Sequence, residues 1–172
     1  MGQPTVLPDA QRAVYRQSLM ESANACEMLL QHYPNSEQAL SAIPGIADAL
    51  YGIVRYKLMA PEEADKYFAS LIGRHKDDPG LQAQLIFSQG MFLMKNAEKE
   101  KALAKFKESL ATDTNARLST QMLLDYADAS KEANALQEAA EIYQRVLDNY
   151  ASDPNAAAPA TYGLADISFI GG

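Results

Sequence analysis

The feature that most constrains the fold of this chain is a short motif that recurs three times with the same internal spacing. In each copy an Ala is followed four positions later by an aromatic residue, and four positions after that by a large aliphatic residue. The copies span 64–72, 102–110 and 139–147, and a fainter copy at 22–30 has Cys in the aromatic place. Because residues four apart share one face of an α-helix, each copy predicts a helix with one buried face.

A second signal stands at a fixed distance from the first. Twelve residues before each Ala lies a small residue, namely Gly52, Gly90 and Ala127. Signals for a helix break fall between the two, at 60–63, 96–98 and 134–136. Each unit therefore predicts two helices joined by a short turn, with the small residue allowing a close approach and the aromatic ring filling the space beside it. Units recurring about every 40 residues are typical of helical repeat proteins.

The sequence as a whole predicts an all-α fold, because Ala and Leu are abundant while Val and Thr are scarce. Asp78-Pro79 and Asp153-Pro154 each pair an N-cap carboxylate with Pro at the first helical position, which indicates a helix start. Pro44-Gly45 predicts a kink or a break. The predicted helices are 9–32, 36–59, 61–75, 79–95, 97–111, 115–131, 135–149 and 155–170.

Charge and hydropathy argue against a nucleic-acid partner and against insertion into a membrane. The net charge is −7, whereas phosphate binding requires a strongly basic face. The one cluster of lysines alternates with glutamates, which is typical of a solvated helix face; its members are Lys95, Lys99, Lys101, Lys105 and Lys107. No apolar run is long enough to cross a bilayer, and the N-terminus lacks the basic and apolar regions of a signal peptide.

The residue types that most often carry chemistry are few. Cys26 occupies the aromatic place of its repeat, so packing is expected rather than nucleophilic attack, which would need a His partner. His32 and His75 fall at predicted helix ends, where the dipole favours a cation. Asp77 and Asp78 are predicted to be turn and N-cap groups. No metal-ligand spacing or glycine-rich loop is present, so we predict no catalytic residue, metal or cofactor.

The pairing of a small residue in one helix with Ala-x-x-x-aromatic in the next resembles the tetratricopeptide repeat (TPR). Gly90, followed by Ala102-x-x-x-Phe106, matches that family in residue type and spacing, although the chain has no Trp. The repeats also exceed the family's usual length of about 34 residues. The resemblance implies a TPR-like α-α superhelix, a right-handed solenoid of antiparallel helix pairs. Residues 1–172 would form a single domain of about three repeats plus terminal helices.

Long repeats of this kind are similar to those of bacterial envelope proteins, namely Tol–Pal-associated and outer-membrane assembly lipoproteins. The segments 138–150 and 158–165 carry the likeness. It implies a location in the bacterial periplasm or cell envelope; without it, the cytoplasm is expected. Residues 164–172 resemble the first helix of a further repeat, which predicts either a capping helix or a fragment of a longer chain.

The TPR resemblance also implies a binding groove, because the first helices of successive repeats line the concave face in that family. The residues placed there are Ile53, Tyr56, Lys57, Phe87, Met91, Met94, Lys95, Leu124, Asp128 and Lys131. Phe87 and Met91 could instead be core residues. Apolar Ile53 and Met91 stand where chaperone-binding relatives use polar groups to hold a peptide carboxylate, which argues against such a clamp.

The predicted function is that of a non-catalytic scaffold that binds a partner protein or peptide in a partly apolar groove. One alternative is a helical accessory domain of an enzyme whose chemistry lies outside this chain. Another is a self-association module that forms a homo-oligomer. Neither nucleic acid nor direct membrane insertion is expected.

Overall fold

The computed structural model describes residues 8–113 and 118–171. Over these ranges the chain forms eight helices joined by turns, with no strand, so the all-α prediction is confirmed. The helices are α1 (Asp9–His32), α2 (Glu37–Arg55), α3 (Pro61–Arg74), α4 (Pro79–Lys95), α5 (Lys99–Thr112), α6 (Thr120–Glu132), α7 (Leu136–Tyr150) and α8 (Pro154–Gly171).

Two helix bounds differ from the predicted ones for identifiable reasons. α2 ends at Arg55 rather than at 59, because Lys57 has a positive φ of 55° that an α-helix cannot continue through. α6 begins at Thr120, where the Ser119 hydroxyl accepts a hydrogen bond from the Met122 N–H at 3.2 Å. The predicted start of α6 at 115 lies outside the described residues.

α2 runs through Pro44 without a break, so of the predicted kink or break the break does not occur. Pro44 has no N–H to donate to the Leu40 carbonyl, and that one hydrogen bond of the helix is lost. The Pro44 ring is exposed, so it meets no crowding from a neighbouring helix. Its neighbour Gly45 lies against the Cys26 thiol of α1, which a Cβ at Gly45 would approach to 3.4 Å.

Three turns, which follow α2, α4 and α6, share one geometry. In each case the residue that follows the helix C-cap has a left-handed backbone, with φ of 55° at Lys57, 63° at Ala97 and 62° at Asn134. Its N–H donates to the carbonyl three positions back, and the next N–H donates to the carbonyl five positions back. This pair of hydrogen bonds is the Schellman motif, which usually places Gly at the left-handed position.

Helix packing is local along the chain. Every helix pair with substantial contact is separated by one or two positions in the order of helices. α4 packs on α5, α6 on α7 and α7 on α8, while α2 packs on α1 and also on α4. α2 and α4 run side by side in the same direction, since Ser88 contacts Ile43 and Lys95 contacts Asp48.

The recurring motif forms the centre of these contacts. Ala64, Ala102 and Ala139 are all 0% exposed, as the repeat spacing predicts. Phe106 is also fully buried; its ring centroid lies 4.7 Å from that of Phe87 on α4 and 5.4 Å from that of Tyr126 on α6. One aromatic side chain of α5 therefore joins three helices.

The first repeat departs from the expected pattern. Gly52 was expected to admit the following helix, yet a Cβ placed there would meet Leu19 of α1 at 3.0 Å. α2 packs chiefly on α1 and α4, and makes little contact with α3. α3 is instead linked to α1 by Glu27, which accepts a hydrogen bond from Tyr67 at 2.9 Å and pairs with Arg74.

Gly90→Ala should destabilise the fold by about 1–3 kcal/mol, the usual cost of overpacking. A Cβ at Gly90 would lie 2.5 Å from Phe106 Cε1 and 3.3 Å from the backbone oxygen of Ala102. Gly73→Ala is the matched control, because Gly73 is exposed on α3 with nothing within 4 Å. Gly73→Ala should raise the free energy of unfolding by up to about 1 kcal/mol. Urea unfolding measures both, and equal responses would contradict the Gly90–Phe106 crossing.

Ala97→Gly should raise the free energy of unfolding by roughly 0.5–1 kcal/mol. A left-handed backbone costs a residue with a Cβ about 1–2 kcal/mol, and Gly avoids most of that cost despite its greater entropy when unfolded. Ala104→Gly on the exposed side of α5 is the control and should lower stability by about 1 kcal/mol. A loss of stability on Ala97→Gly would argue against the left-handed turn.

Candidate functional site

A groove of about 720 Å³ opens between α2, α4 and α6. Three alternate helices contribute to it: the N-terminal half of α2, most of α4 and the first turns of α6. This volume falls in the range of about 300–1,000 Å³ that is usual for ligand-binding clefts.

The floor of the groove is apolar and belongs to the core. Phe87 is 3% exposed and stacks against Phe106, while Ile43 and Ala47 of α2 lie beside it, also buried. The walls are more accessible to solvent. Leu40, Met91 and Met122 are half-buried and line the groove from α2, α4 and α6 respectively.

On the α2 side of the groove, a backbone carbonyl is hydrogen-bonded to α4 and is followed directly by a proline. The Ser88 hydroxyl of α4 donates to the Ile43 carbonyl at 3.2 Å, which ties the two helices together beneath the groove. One residue further along α2, Pro44 cannot supply the helix hydrogen bond that the Leu40 carbonyl would normally accept. Leu40 and Pro44 both line the groove.

Charged side chains surround the groove unevenly. Asp48 and Lys95 form an ion pair across α2 and α4, and the Lys95 ammonium lies 6.0 Å from the centroid of the Tyr51 ring. Asp125 of α6 accepts a hydrogen bond from the Gln121 amide at 2.8 Å. Burial raises the pKa of the Asp125 carboxyl and the negative charge of Asp128 raises it further, whereas the Gln121 hydrogen bond lowers it. Glu37, at the start of α2, adds another carboxylate to the lining.

Three of the predicted groove residues line this cavity: Phe87, Met91 and Lys95. Of these, Phe87 is almost fully buried and Met91 is partly accessible. The ring of Phe87 therefore belongs to the core, which was the alternative interpretation, and it also forms the floor of the groove. Met94, although half-buried, packs against the core and does not line the groove.

The predicted residues on α2 lie elsewhere. Ile53 is 0% exposed, so its predicted place in the groove is wrong. Tyr56 packs edge-to-face on Tyr15 of α1 with centroids 5.0 Å apart. Lys57 is exposed in the turn, and its carbonyl accepts a hydrogen bond from Arg12 at 3.0 Å. All three face the α1 side or the core rather than the α2–α4–α6 groove.

The predicted residues on α6 are also displaced from the groove. Leu124 is 5% exposed and belongs to the core, so the prediction for this residue is wrong. Asp128 accepts a hydrogen bond from the Tyr143 hydroxyl of α7. Lys131 pairs with Asp166 of α8 at 2.8 Å. These two polar residues hold α6 to the helices that follow it.

The error on α2 has a measurable origin. Repeat spacing aligns Ile53 with Met91, 38 positions apart in the sequence. The observed contacts join Ile43 to Ser88 and Asp48 to Lys95, at separations of 45 and 47 positions. α2 is thus shifted by about two turns against α4, and its N-terminal half faces the groove.

Sequence reasoning missed Leu40, Met122 and Asp125. A usable signal existed on α2, because Leu40, Pro44 and Asp48 are spaced four apart and so share one face.

The candidate chemical residues lie outside the groove. Cys26 is half-buried, packs on the core and has its pKa raised by burial, which disfavours the reactive thiolate. His32 is exposed at the end of α1. His75 is the C-cap residue of α3, and burial, with a smaller effect of Arg74, lowers its pKa.

Two further searches of the described residues concern metals and membranes. Within 8–113 and 118–171, no group of three or more His, Cys, Asp or Glu side chains is placed to hold a metal ion. In the same ranges, no helix has the length and apolar character needed to traverse a bilayer.

Each lysine of the mixed cluster has a partner. Lys105 pairs with Glu108 on the same helix, Lys107 with Glu138 of α7, and Lys99 donates to the Glu132 carbonyl. Together with the Lys101–Glu98 and Lys95–Asp48 pairs, these contacts distribute the positive charge among carboxylates and one carbonyl.

Comparison of the chain with models of protein families, with curated proteins and with solved structures gave no match in any of the three.

Phe87→Ala and Met91→Ala should differ in their cost to stability, because Phe87 forms the buried floor of the groove and Met91 part of its half-buried wall. Phe87 is buried against Phe106, so its truncation should cost about 3–5 kcal/mol of stability. Met91 is half-buried, so its truncation should cost roughly 1 kcal/mol. Thermal or urea unfolding gives both values. If Phe87→Ala proved as mild as Met91→Ala, the assignment of Phe87 to the core would be incorrect.

Proposed function

We propose that this chain is a TPR-like scaffold that binds a peptide segment of a partner protein in the α2–α4–α6 groove and catalyses no reaction. The observation that carries the proposal is the groove itself, an open cavity of about 720 Å³ between the alternate helices α2, α4 and α6, with an apolar floor and largely apolar walls. Accessible apolar surface of this kind usually marks an interaction site, and a groove between helices suits an amphipathic peptide.

The local packing of the helices supports the solenoid part of the proposal. Helices contact only near neighbours in chain order, whereas a closed bundle would bring distant helices together. The same Schellman turn follows α2, α4 and α6. Placing α2, α4 and α6 as the first helices of their repeats makes the groove the concave face of the stack.

The chemistry of the lining favours binding over catalysis. The described lining residues include no His or Cys, and the Ser88 hydroxyl is engaged by a backbone carbonyl rather than by a base. A nucleophile would need a base within hydrogen-bond reach. The half-buried methionines Met91 and Met122 are instead suited to a peptide, because flexible thioether side chains adapt to different apolar partners.

Methyl-labelled methionine provides a direct test. Random dodecapeptides displayed on phage would be selected on the full chain, and the strongest binders titrated into protein carrying ¹³C-methyl Met. The Met91 and Met122 signals should shift, while the signal of Met28, which is 59% exposed on α1, should not. Failure to select any binder, or shifts confined to Met28, would refute the proposal.

Matched substitutions check the same conclusion by affinity. Met91→Ala should weaken the selected peptides about tenfold, since truncating a contact in the middle of an interface commonly costs more than about 1 kcal/mol. Met28→Ala removes the same side chain outside the groove and should leave the affinity unchanged. Dimerisation of the chain that is blocked by Met91→Ala, without peptide binding, would favour the self-association alternative.

A further inference from the structure

We propose that the peptide bound in this groove carries a basic side chain that pairs with Asp125. The inference rests on the proposed peptide-binding function and specifies the chemistry of the partner: a segment with apolar anchors and at least one Lys or Arg. The inference follows from how the charges of the groove are paired: Lys95 already pairs with Asp48, whereas Asp125 has no cationic partner among the described residues.

The positive charge of the groove is already engaged within the protein. Lys95 is the one cationic residue among the described lining residues, and it pairs with Asp48 and lies near the face of the Tyr51 ring. An acidic peptide would have to displace Asp48 from this pair. The groove is therefore poorly suited to a negatively charged partner, and the chain's net charge of −7 adds to that repulsion.

The negative charge is not fully engaged. Asp125 is half-buried at the wall formed by α6, and its hydrogen bond comes from the neutral amide of Gln121. No ion pair joins Asp125 or Glu37 to a cation within the described ranges. Burial and the charge of Asp128 raise the pKa of Asp125, so its negative charge costs more here than on a fully solvated carboxyl. A ligand cation would offset that cost.

The spacing of Met122 and Asp125 on α6 suits a long basic side chain. Met122 and Asp125 are three residues apart on α6, which places them on one side of the helix, and both line the groove. Lys and Arg have apolar stems that pack along surfaces such as Met91 and Met122 while the charged end reaches a carboxylate. One side chain can thus use the apolar wall and the acidic group together.

The test uses a peptide selected as above whose binding shifts the Met91 and Met122 methyl signals. Each Lys of that peptide is replaced by acetyl-lysine and each Arg by citrulline, which remove the charge and keep the stem. Affinities are measured for the original chain, for Asp125→Asn and for Asp148→Asn. Asp148 is the matched control because it is exposed on α7 and accepts the same kind of hydrogen bond, from Gln144 four positions back, at 2.7 Å.

One neutral replacement in the peptide should lower its affinity for the original chain by about tenfold, as expected for a partly desolvated ion pair. Asp125→Asn should lower the affinity of the unmodified peptide to the same degree. In that variant the neutral replacement should change the affinity by less than about twofold, because the pair no longer exists. Asp148→Asn should retain the tenfold effect.

Other outcomes separate the two proposals. Groove-binding peptides that lack basic residues, or a neutral replacement that matters equally in Asp125→Asn and in the original chain, would overturn the inference and leave the peptide-binding function intact. Failure to obtain any groove-binding peptide would overturn both. Since the neutral replacement is made in the peptide, its effect on the original chain is informative even where a protein variant folds poorly.

Discussion

The fully buried ring of Phe106 is the contact on which most of this structure depends. It packs against α4 where Gly90 has no side chain, and it touches Phe87 and Tyr126 on the helices to either side. Phe87 is also the floor of the groove. The same aromatic cluster that holds α4, α5 and α6 together therefore also sets the depth of the groove. A change in this cluster should alter both the stability of the fold and the shape of the groove.

Polar contacts set the spacing of the helices around that cluster. Tyr67, Tyr126 and Tyr143 each donate a hydrogen bond to a carboxylate on another helix, the acceptors being Glu27, Glu138 and Asp128 respectively. Burial is the largest cause of the raised pKa of all three tyrosines, so the phenol remains a donor at neutral pH. These links are directional, whereas apolar packing is not, and they favour one rotation of each helix over others.

The sequence predicted the features that depend on one helix or one helix pair. It did not predict the features that depend on contacts between helices that are not adjacent in the chain. Burial of Ala102 and Phe106 follows from spacing alone. The position of α2 against α4 does not, because it depends on Leu19 of α1 filling the space at Gly52 and on the Ser88–Ile43 hydrogen bond. That two-turn shift places Asp48 rather than Lys57 opposite Lys95. Asp125 was missed for a similar reason, since its half-buried position depends on the arrangement of three helices.

The left-handed turns at Lys57, Ala97 and Asn134 have a consequence for cooperativity. A glycine would adopt this backbone readily even in an isolated hairpin, whereas Lys and Ala resist it. The turns at Lys57 and Ala97 must therefore gain their energy from contacts with neighbouring helices, whereas Asn134 adopts the left-handed backbone more readily. Such a chain has little tendency to form one repeat at a time, and loss of one repeat should propagate to the next. Lys57 and Ala97, which reverse the chain direction, thus tie the stability of their turns to the packing of the helices around them.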